Sequence, residues 1–135
     1  MKILLCVTGL VPFIIFCFSF KQQDLLKASM DRGKIVYEST CLPCHQSKGS
    51  GVKGMNPPLI NTRYVLGVKD SLVNIVLNGL NEEITINGQQ YNNPMPAQAQ
   101  LKNEEIADVL TYVRNSFGNK ASMITPDDVK KLRSN

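Results

Sequence analysis

Hydrophobic residues recur at helical spacing in four separate stretches of the chain. The first stretch covers residues 24 to about 39, and its apolar stripe consists of Leu26, Met30, Gly33 and Tyr37. Residues three or four positions apart share one face of an α-helix, so an amphipathic helix is predicted here. A glycine within such a stripe weakens the helix, and we therefore expect Gly33 to allow close approach of another helix.

Three further helices are predicted downstream, at about residues 70–78, 103–117 and 125–132. Asp70 or Ser71 is predicted to cap the first of these helices, and Asn103 the second. The third is predicted to start at Thr125 and Pro126, with the proline at the first helical position. Gly79 and Gly118 are the predicted stops of the first and second of these helices. Ile84-Thr85-Ile86-Asn87-Gly88 indicates a small hairpin, but too few other strands exist for a larger sheet. The expected fold class is therefore all-α, with about four helices and long loops.

The first twenty residues follow a different pattern, because residues 3–20 are almost wholly apolar between Lys2 and Lys21. This pattern is typical of a secretory signal peptide, which we place at residues 1–19 with cleavage after Ser19. An uncleaved membrane anchor is the competing interpretation, since about 18 apolar residues nearly suffice to span a bilayer. Lipid attachment at Cys17 is a third alternative. Residues 20–135 are thus expected to be periplasmic or otherwise exported, either free or tethered to a membrane.

The charge of the chain excludes one class of function, nucleic-acid binding, but does not indicate another. The chain of 135 residues has a formal net charge of +4, and its basic residues are scattered along the sequence. Nucleic-acid binding requires a dense basic patch, usually with interleaved aromatic residues, and this chain shows neither. No nucleic-acid partner is therefore expected, and the length suits one domain.

Cys41-Leu42-Pro43-Cys44-His45 is the motif that carries chemistry. In a C-x-x-C-H run the two thiols can bond covalently to haem, and the adjacent imidazole can then bind the iron. His45 is the only histidine of the chain. The motif therefore predicts one haem c attached through Cys41 and Cys44, with His45 as an iron ligand.

Other interpretations of this region fit less well. A structural zinc site needs four ligands, and the cluster stops at two cysteines and one histidine. A thioredoxin-like dithiol belongs beside a βαβ unit, whereas the flanking segments here are predicted to be helical. The run Gly49-Ser50-Gly51-Val52-Lys53-Gly54 matches G-x-G-x-x-G, but it follows the haem motif rather than a strand. We therefore interpret it as a tightly turning loop.

The second axial ligand must come from another residue type, and methionine is the first candidate. Met95 lies between Pro94 and Pro96, which stiffen the loop and can present the thioether at a set position. Met55 is the competing candidate, although it is only a short loop away from His45. A third alternative is an open sixth position. A His/Met pair predicts one-electron transfer, whereas an open site would suit a sensor or a catalytic subunit.

Taken together, the residues resemble a class I c-type monohaem cytochrome. The resemblance covers about residues 23–119 and leaves 120–135 as a helical extension of the cytochrome c domain. It rests on the haem motif, Pro57-Pro58-Leu59, Asn87-Gly88, Met95-Pro96 and Leu110-Thr111-Tyr112-Val113-Arg114. It implies the cytochrome c fold wrapped around one haem, and electron transfer rather than enzymatic catalysis.

The resemblance also implies roles for single residues. The carbonyl of Pro57 would accept a hydrogen bond from the ligand imidazole, and Leu59 would pack on the haem. Gly33 and Tyr37 would meet the helix that carries Tyr112. More narrowly, the chain is similar to cytochrome subunits or domains of dehydrogenases and copper nitrite reductases. This likeness implies redox proteins as partners, namely a dehydrogenase, an oxidase or a reductase.

Overall fold

The structure, a computed structural model, describes residues 10–133, and for residues 10–20 it describes the backbone alone. Of the predicted leader, residues 1–9 lie outside the described residues, and residues 10–19 are described by their backbone alone. Within residues 10–133, no helix combines the length and apolarity that a membrane crossing requires.

The architecture is mostly helical, with one two-stranded sheet in the described part of the chain. The helices are α1 (Leu10–Val36), α2 (Leu42–His45), α3 (Arg63–Leu66), α4 (Lys69–Asn78), α5 (Asn103–Asn115) and α6 (Pro126–Arg133). One π-helical turn, Tyr37–Cys41, connects α1 to α2. The sheet consists of β1 (Ile84–Ile86) and β2 (Gln89–Tyr91), which pair antiparallel. The all-α expectation is confirmed, and the predicted small hairpin is present.

Several predicted helix ends are wrong. Asp70 and Ser71 do not cap α4, since the helix begins one residue earlier and follows Val68, which is extended and provides no side-chain cap. Asn103 is the first residue of α5 rather than its cap, and the amide of Lys102 donates to the Glu105 carboxylate over 2.7 Å. The same helix ends at Asn115, short of the predicted stop at Gly118.

The two single-turn helices, α2 and α3, have no counterpart among the predicted elements. They are too short to show a periodic apolar pattern. The sequence signal for α3 is its cap, because the Thr62 hydroxyl accepts a hydrogen bond from the amide of Val65. In the sequence alone, a threonine such as Thr62 is a weak signal for a helix start, because the four residues that follow it are too few to show a helical pattern.

The crossing of α1 and α5 organises the core. A Cβ added at Gly33 would collide with the backbone of Asp108, so the helices approach as closely as the glycine prediction required. The carboxylate of Asp108 is buried and accepts from Arg32 through Nε over 2.6 Å and through Nη2 over 2.8 Å. The Ser29 hydroxyl donates to the same carboxylate over 2.7 Å. Polar contacts thus secure the crossing beside the glycine.

An aromatic cluster continues this crossing toward the haem motif. Tyr37 is fully buried, and its ring lies 5.4 Å from the rings of both Tyr112 and Phe117. The contact of Tyr37 with Tyr112 is the one that the family resemblance implied. The Tyr37 hydroxyl donates to the carbonyl of Gln46 over 2.6 Å, which ties the π-helical turn after α1 to the residue after His45.

Arg114 ties α5 to α3 and to the segment between α5 and α6. Its guanidinium is buried and donates to the carbonyls of Val65 over 2.6 Å and of Ser122 over 2.9 Å. Burial lowers the pKa of Arg114 from its ordinary value, because desolvation disfavours the charged form. The carbonyl partners supply the polar surroundings that a buried guanidinium needs.

Candidate haem site

The cysteines of the motif lie at the junction between the π-helical turn and α2. Cys41 is half-buried at the end of the turn, and Cys44 is exposed one helical turn later. Burial raises the pKa of the Cys41 thiol to about 11, and Cys44 adds to this shift. Both cysteines border the same cavity, so the pair belongs to one ligand space rather than to two separate surfaces.

His45 ends α2 and is buried, with 9% of its surface exposed. Its Nδ1 lies 3.0 Å from the carbonyl oxygen of Pro57, and a carbonyl can only accept, so Nδ1 carries the proton. Burial lowers the pKa of His45, partly opposed by the hydrogen bond to Pro57, and this favours the neutral ring. A neutral ring protonated at Nδ1 has an unshared electron pair at Nε2, the form in which histidine binds metals.

The hydrogen bond between His45 and Pro57 is the contact that the resemblance implied. Its geometry depends on a tight loop, since the amide of Gly51 donates to the carbonyl of His45 over 3.0 Å. Gly51 has φ near 63°, and a Cβ there would collide with the backbone of Asn56 and Pro57. The glycine run therefore allows the proline loop to return to the imidazole, in agreement with its interpretation as a tightly turning loop.

Leu59 also borders the cavity, and its backbone is held on both sides. The amide of Leu59 donates to the carbonyl of Gly49 over 2.7 Å, while its own carbonyl accepts from the side chain of Asn119 over 2.9 Å. The buried Asn119 side chain also donates to the carbonyl of Val113 in α5. This arrangement holds Leu59 at the cavity in a well-fixed loop.

Met95 borders the same cavity from a different part of the chain. Its amide donates to the carbonyl of Leu80 over 2.9 Å, and the amide of Leu80 donates back to the Met95 carbonyl over 2.9 Å. Gly79 has φ near 78°, and a Cβ at this position would collide with the Met95 carbonyl. The methionine loop is therefore held against the end of α4 by paired backbone hydrogen bonds.

Met55, the competing ligand candidate, lies outside this arrangement. Its surface is 52% exposed, and it is absent from the walls of the cavity. Its carbonyl instead accepts from the amide of Asn93 over 3.3 Å, in the loop that leads to Met95. The structure thus brings together Cys41, Cys44, His45, Pro57, Leu59 and Met95, and separates Met55 from them.

The cavity has a volume of about 1250 Å³, including the solvent space at its mouth. Its walls are mainly apolar and include residues that sequence reasoning did not assign to the site, among them Leu72, Val76, Ile84, Ile86, Tyr91 and Leu101. The signal for the hairpin residues was the alternation of Ile84 and Ile86, which places both on one face of β1. The hairpin thus forms part of the wall of the cavity.

The residues present fit a haem on chemical grounds. The cavity is mainly apolar, and it is lined by two cysteines, by one histidine whose Nε2 is available, and by one methionine. These groups are the ones by which proteins attach haem c and bind its iron. The fold and the site therefore define a helical protein with a covalently bound haem.

Comparison with known proteins gives the family. The sequence pattern of the cytochrome c family matches residues 30–117. The chain is 36% identical over 119 residues to a cytochrome c-552 of Thermus thermophilus, which covers 82% of this chain and 79% of that relative. The chain belongs to the cytochrome c family. It binds one haem c covalently through Cys41 and Cys44, and its function is haem-based electron transfer.

Other relatives are parts of larger redox enzymes. The cytochrome c subunit of the quinone alcohol dehydrogenase of Gluconacetobacter polyoxogenes is 36% identical over 104 residues, or 75% of this chain. The fructose dehydrogenase cytochrome subunit of Gluconobacter japonicus is 33% identical over 109 residues, or 76% of this chain. The chain spans only 22% of the length of each of these subunits.

Proposed function

We propose that this protein is an exported electron carrier in which His45 and Met95 would both bind the haem iron. The observation that carries the proposal is the meeting of both side chains in one apolar cavity beside the attachment cysteines. Pro57 and Leu59 complete the site as the hydrogen-bond acceptor of His45 and as a wall residue.

The chain's own residues tune the site for electron transfer. Haem c, when bound, supplies a one-electron couple between ferric and ferrous iron. The hydrogen bond from His45 Nδ1 to Pro57 fixes the ring orientation and makes Nε2 a better donor. The Met95 thioether is a neutral, soft donor that favours the ferrous state. The apolar walls act in the same direction, because they disfavour the additional positive charge of ferric iron.

Both ligands also exclude competing chemistry. With His45 and Met95 bound, small molecules such as oxygen or carbon monoxide have no free position at the iron. The paired hydrogen bonds between Leu80 and Met95 oppose any movement of the thioether out of the cavity. This arrangement favours a carrier over a sensor or a catalytic subunit.

The partners that we propose are redox proteins outside the cytoplasm, with a dehydrogenase as the first candidate. The support comes from the relatives that are cytochrome subunits of dehydrogenases. We propose residues 1–19 as a signal peptide or uncleaved anchor, and residues 20–135 as the exported domain with its helical extension at 120–135. The intact mass of the purified protein would show whether the leader is removed and whether one haem is attached.

The ligand assignment is tested by comparing Met95→Ala with the wild-type holoprotein. We expect the substitution to abolish the charge-transfer absorption between thioether and ferric iron, to lower the reduction potential, and to allow the ferrous protein to bind carbon monoxide. Met55→Ala is the matched control and should change none of these properties, because Met55 lies outside the cavity. An unchanged spectrum and potential in Met95→Ala would refute Met95 as the ligand, and carbon monoxide binding by the wild type would favour the open site.

A further inference from the structure

The helix α6 lies beyond residues 30–117, the part of the chain that the family pattern matches. Arg133 at its end donates three hydrogen bonds to the segment between Met95 and α5 and to the first residue of α5. Its Nη1 donates to the carbonyl of Ala99 over 2.7 Å, and its Nη2 donates to the carbonyl of Leu101 over 2.8 Å. Its Nε donates to the Asn103 side chain over 2.8 Å. One guanidinium thus holds this segment at three points.

The segment that Arg133 holds is part of the haem site. Leu101 borders the cavity, and its carbonyl accepts from Arg133. Toward the N-terminus, the same segment is fixed by the amide of Gln98, which donates to the carbonyl of Val76 in α4 over 2.8 Å. Met95 lies three residues before Gln98, so a segment loosened after Gln98 would strain this anchor and, through it, the position of the thioether.

Arg133 can act as a fixed support because α6 is itself firmly attached. Val129 is fully buried, and Leu132 packs against the core. The amide of Thr125 donates to the carboxylate of Asp128 over 2.9 Å, and the amide of Asp128 donates back to the Thr125 hydroxyl over 3.2 Å. This reciprocal cap secures the first turn of the helix. The Asp128 carboxylate also lies 3.7 Å from the ammonium of Lys69 in α4.

We infer that Arg133 is a positioning residue for the axial methionine: it holds the segment from Ala99 to Asn103 against α6 and so keeps Met95 on the iron. This inference rests on the proposed ligation by Met95. It gives the C-terminal helix a role in the redox site, although the helix supplies none of the residues that border the cavity. A planar fork of donors suits this role, because it sets the direction as well as the distance of each contact.

The test measures how readily free imidazole replaces Met95 in the ferric holoprotein. An added ligand can bind only when the thioether has left the iron, so its apparent affinity rises with the fraction of detached Met95. For Arg133→Ala we expect imidazole to bind about fivefold tighter, as the net loss of roughly one hydrogen bond implies. We also expect a lower reduction potential and faster amide exchange at Gln98 and Leu101. Arg133→Lys should fall between wild type and Arg133→Ala, since an ammonium has the charge without the fork.

Arg32→Ala is the matched control, because it removes an arginine with two hydrogen bonds at the α1–α5 crossing. It should lower global stability without a comparable change in imidazole affinity. Equal effects of Arg133→Ala and Arg32→Ala on that affinity would refute the positioning role. If wild type lacked the charge-transfer absorption of a thioether ligand, the proposed ligation would fail, and this inference with it. With that absorption present, an unchanged affinity in Arg133→Ala would refute the positioning role alone.

Discussion

At Gly33, the absence of a side chain determines how closely two helices cross. The site of a Cβ on this residue is already taken by the backbone of Asp108, and the Cβ of Tyr112 lies 2.9 Å from the same point. Because backbone atoms cannot rotate away, α1 and α5 would have to separate to admit even a methyl group. Tyr37, one helical turn later, would then lose contact with Tyr112 as well.

We therefore predict that Gly33→Ala lowers the free energy of unfolding of the holoprotein by at least about 2 kcal/mol. The better helix propensity of alanine, about 1 kcal/mol, offsets only part of the clash. Chemical denaturation followed by circular dichroism measures the difference. Lys34→Ala on the same helix is the control, since its side chain is exposed and its ion pair with Glu38 is weak. Equal stability of Gly33→Ala and wild type would contradict the close crossing.

At the scale of elements, α6 shows how a short helix is stabilised by its cap. The predicted start at Thr125 and Pro126 is confirmed, because α6 begins at Pro126 and Thr125 exchanges hydrogen bonds with Asp128. The hydrogen bond from the Thr125 amide, aided by Lys69, holds the pKa of Asp128 below its ordinary value. The charged carboxylate is therefore the form that the folded state favours.

A carboxyl whose pKa is lowered in the folded state stabilises the protein at pH values above its ordinary pKa, which is near 4. That contribution is lost as the pH falls through the pKa of the folded state. We predict that Asp128→Ala lowers the free energy of unfolding by about 1 kcal/mol at pH 7, and that the deficit shrinks below pH 4. Denaturant unfolding of Asp128→Ala and of the wild type, from pH 7 to below pH 4, measures this difference in the free energy of unfolding. Asp127→Ala is the control on the same turn, and a deficit independent of pH would contradict the role of the charge.

At the scale of the whole molecule, the cavity lies beside the hydrophobic core and is lined in part by core residues, among them Leu72, Val76 and Leu110. Apolar residues from α4, α5 and the hairpin face this space, so the helices meet one another mainly at the α1–α5 crossing and along α6. Without a ligand these faces would border water rather than apolar atoms, which costs most of the free energy that their burial supplies.

We predict that the double variant Cys41→Ser/Cys44→Ser, which cannot form the thioether bonds, loses most of its helical circular dichroism and its cooperative thermal unfolding. Cys44→Ser alone retains one attachment point and should show an intermediate loss of stability in the same measurement. A haem-free chain with the same helical content and midpoint as the holoprotein would contradict this dependence of the fold on its ligand.

The sequence by itself determined the chemistry of attachment and the order of the main elements. The spacing of Cys41, Cys44 and His45 is local, so the covalent geometry of five residues sufficed to predict covalent haem. The four longer helices and the hairpin were also predictable, because their apolar patterns repeat within each element. The family resemblance added the contact of Pro57 with His45, which the structure contains.

Only the tertiary structure decided which distant residues share the haem cavity. The local pattern of Pro94, Met95 and Pro96 already favoured Met95 over Met55, but only the folded chain, through the pairing of Met95 with Leu80, places Met95 at the cavity while Met55 is exposed. The three hydrogen bonds of Arg133 join residues about 30 positions apart and have no local signature. Such contacts depend on how whole helices pack, and packing is a property of the folded chain rather than of any short stretch of it.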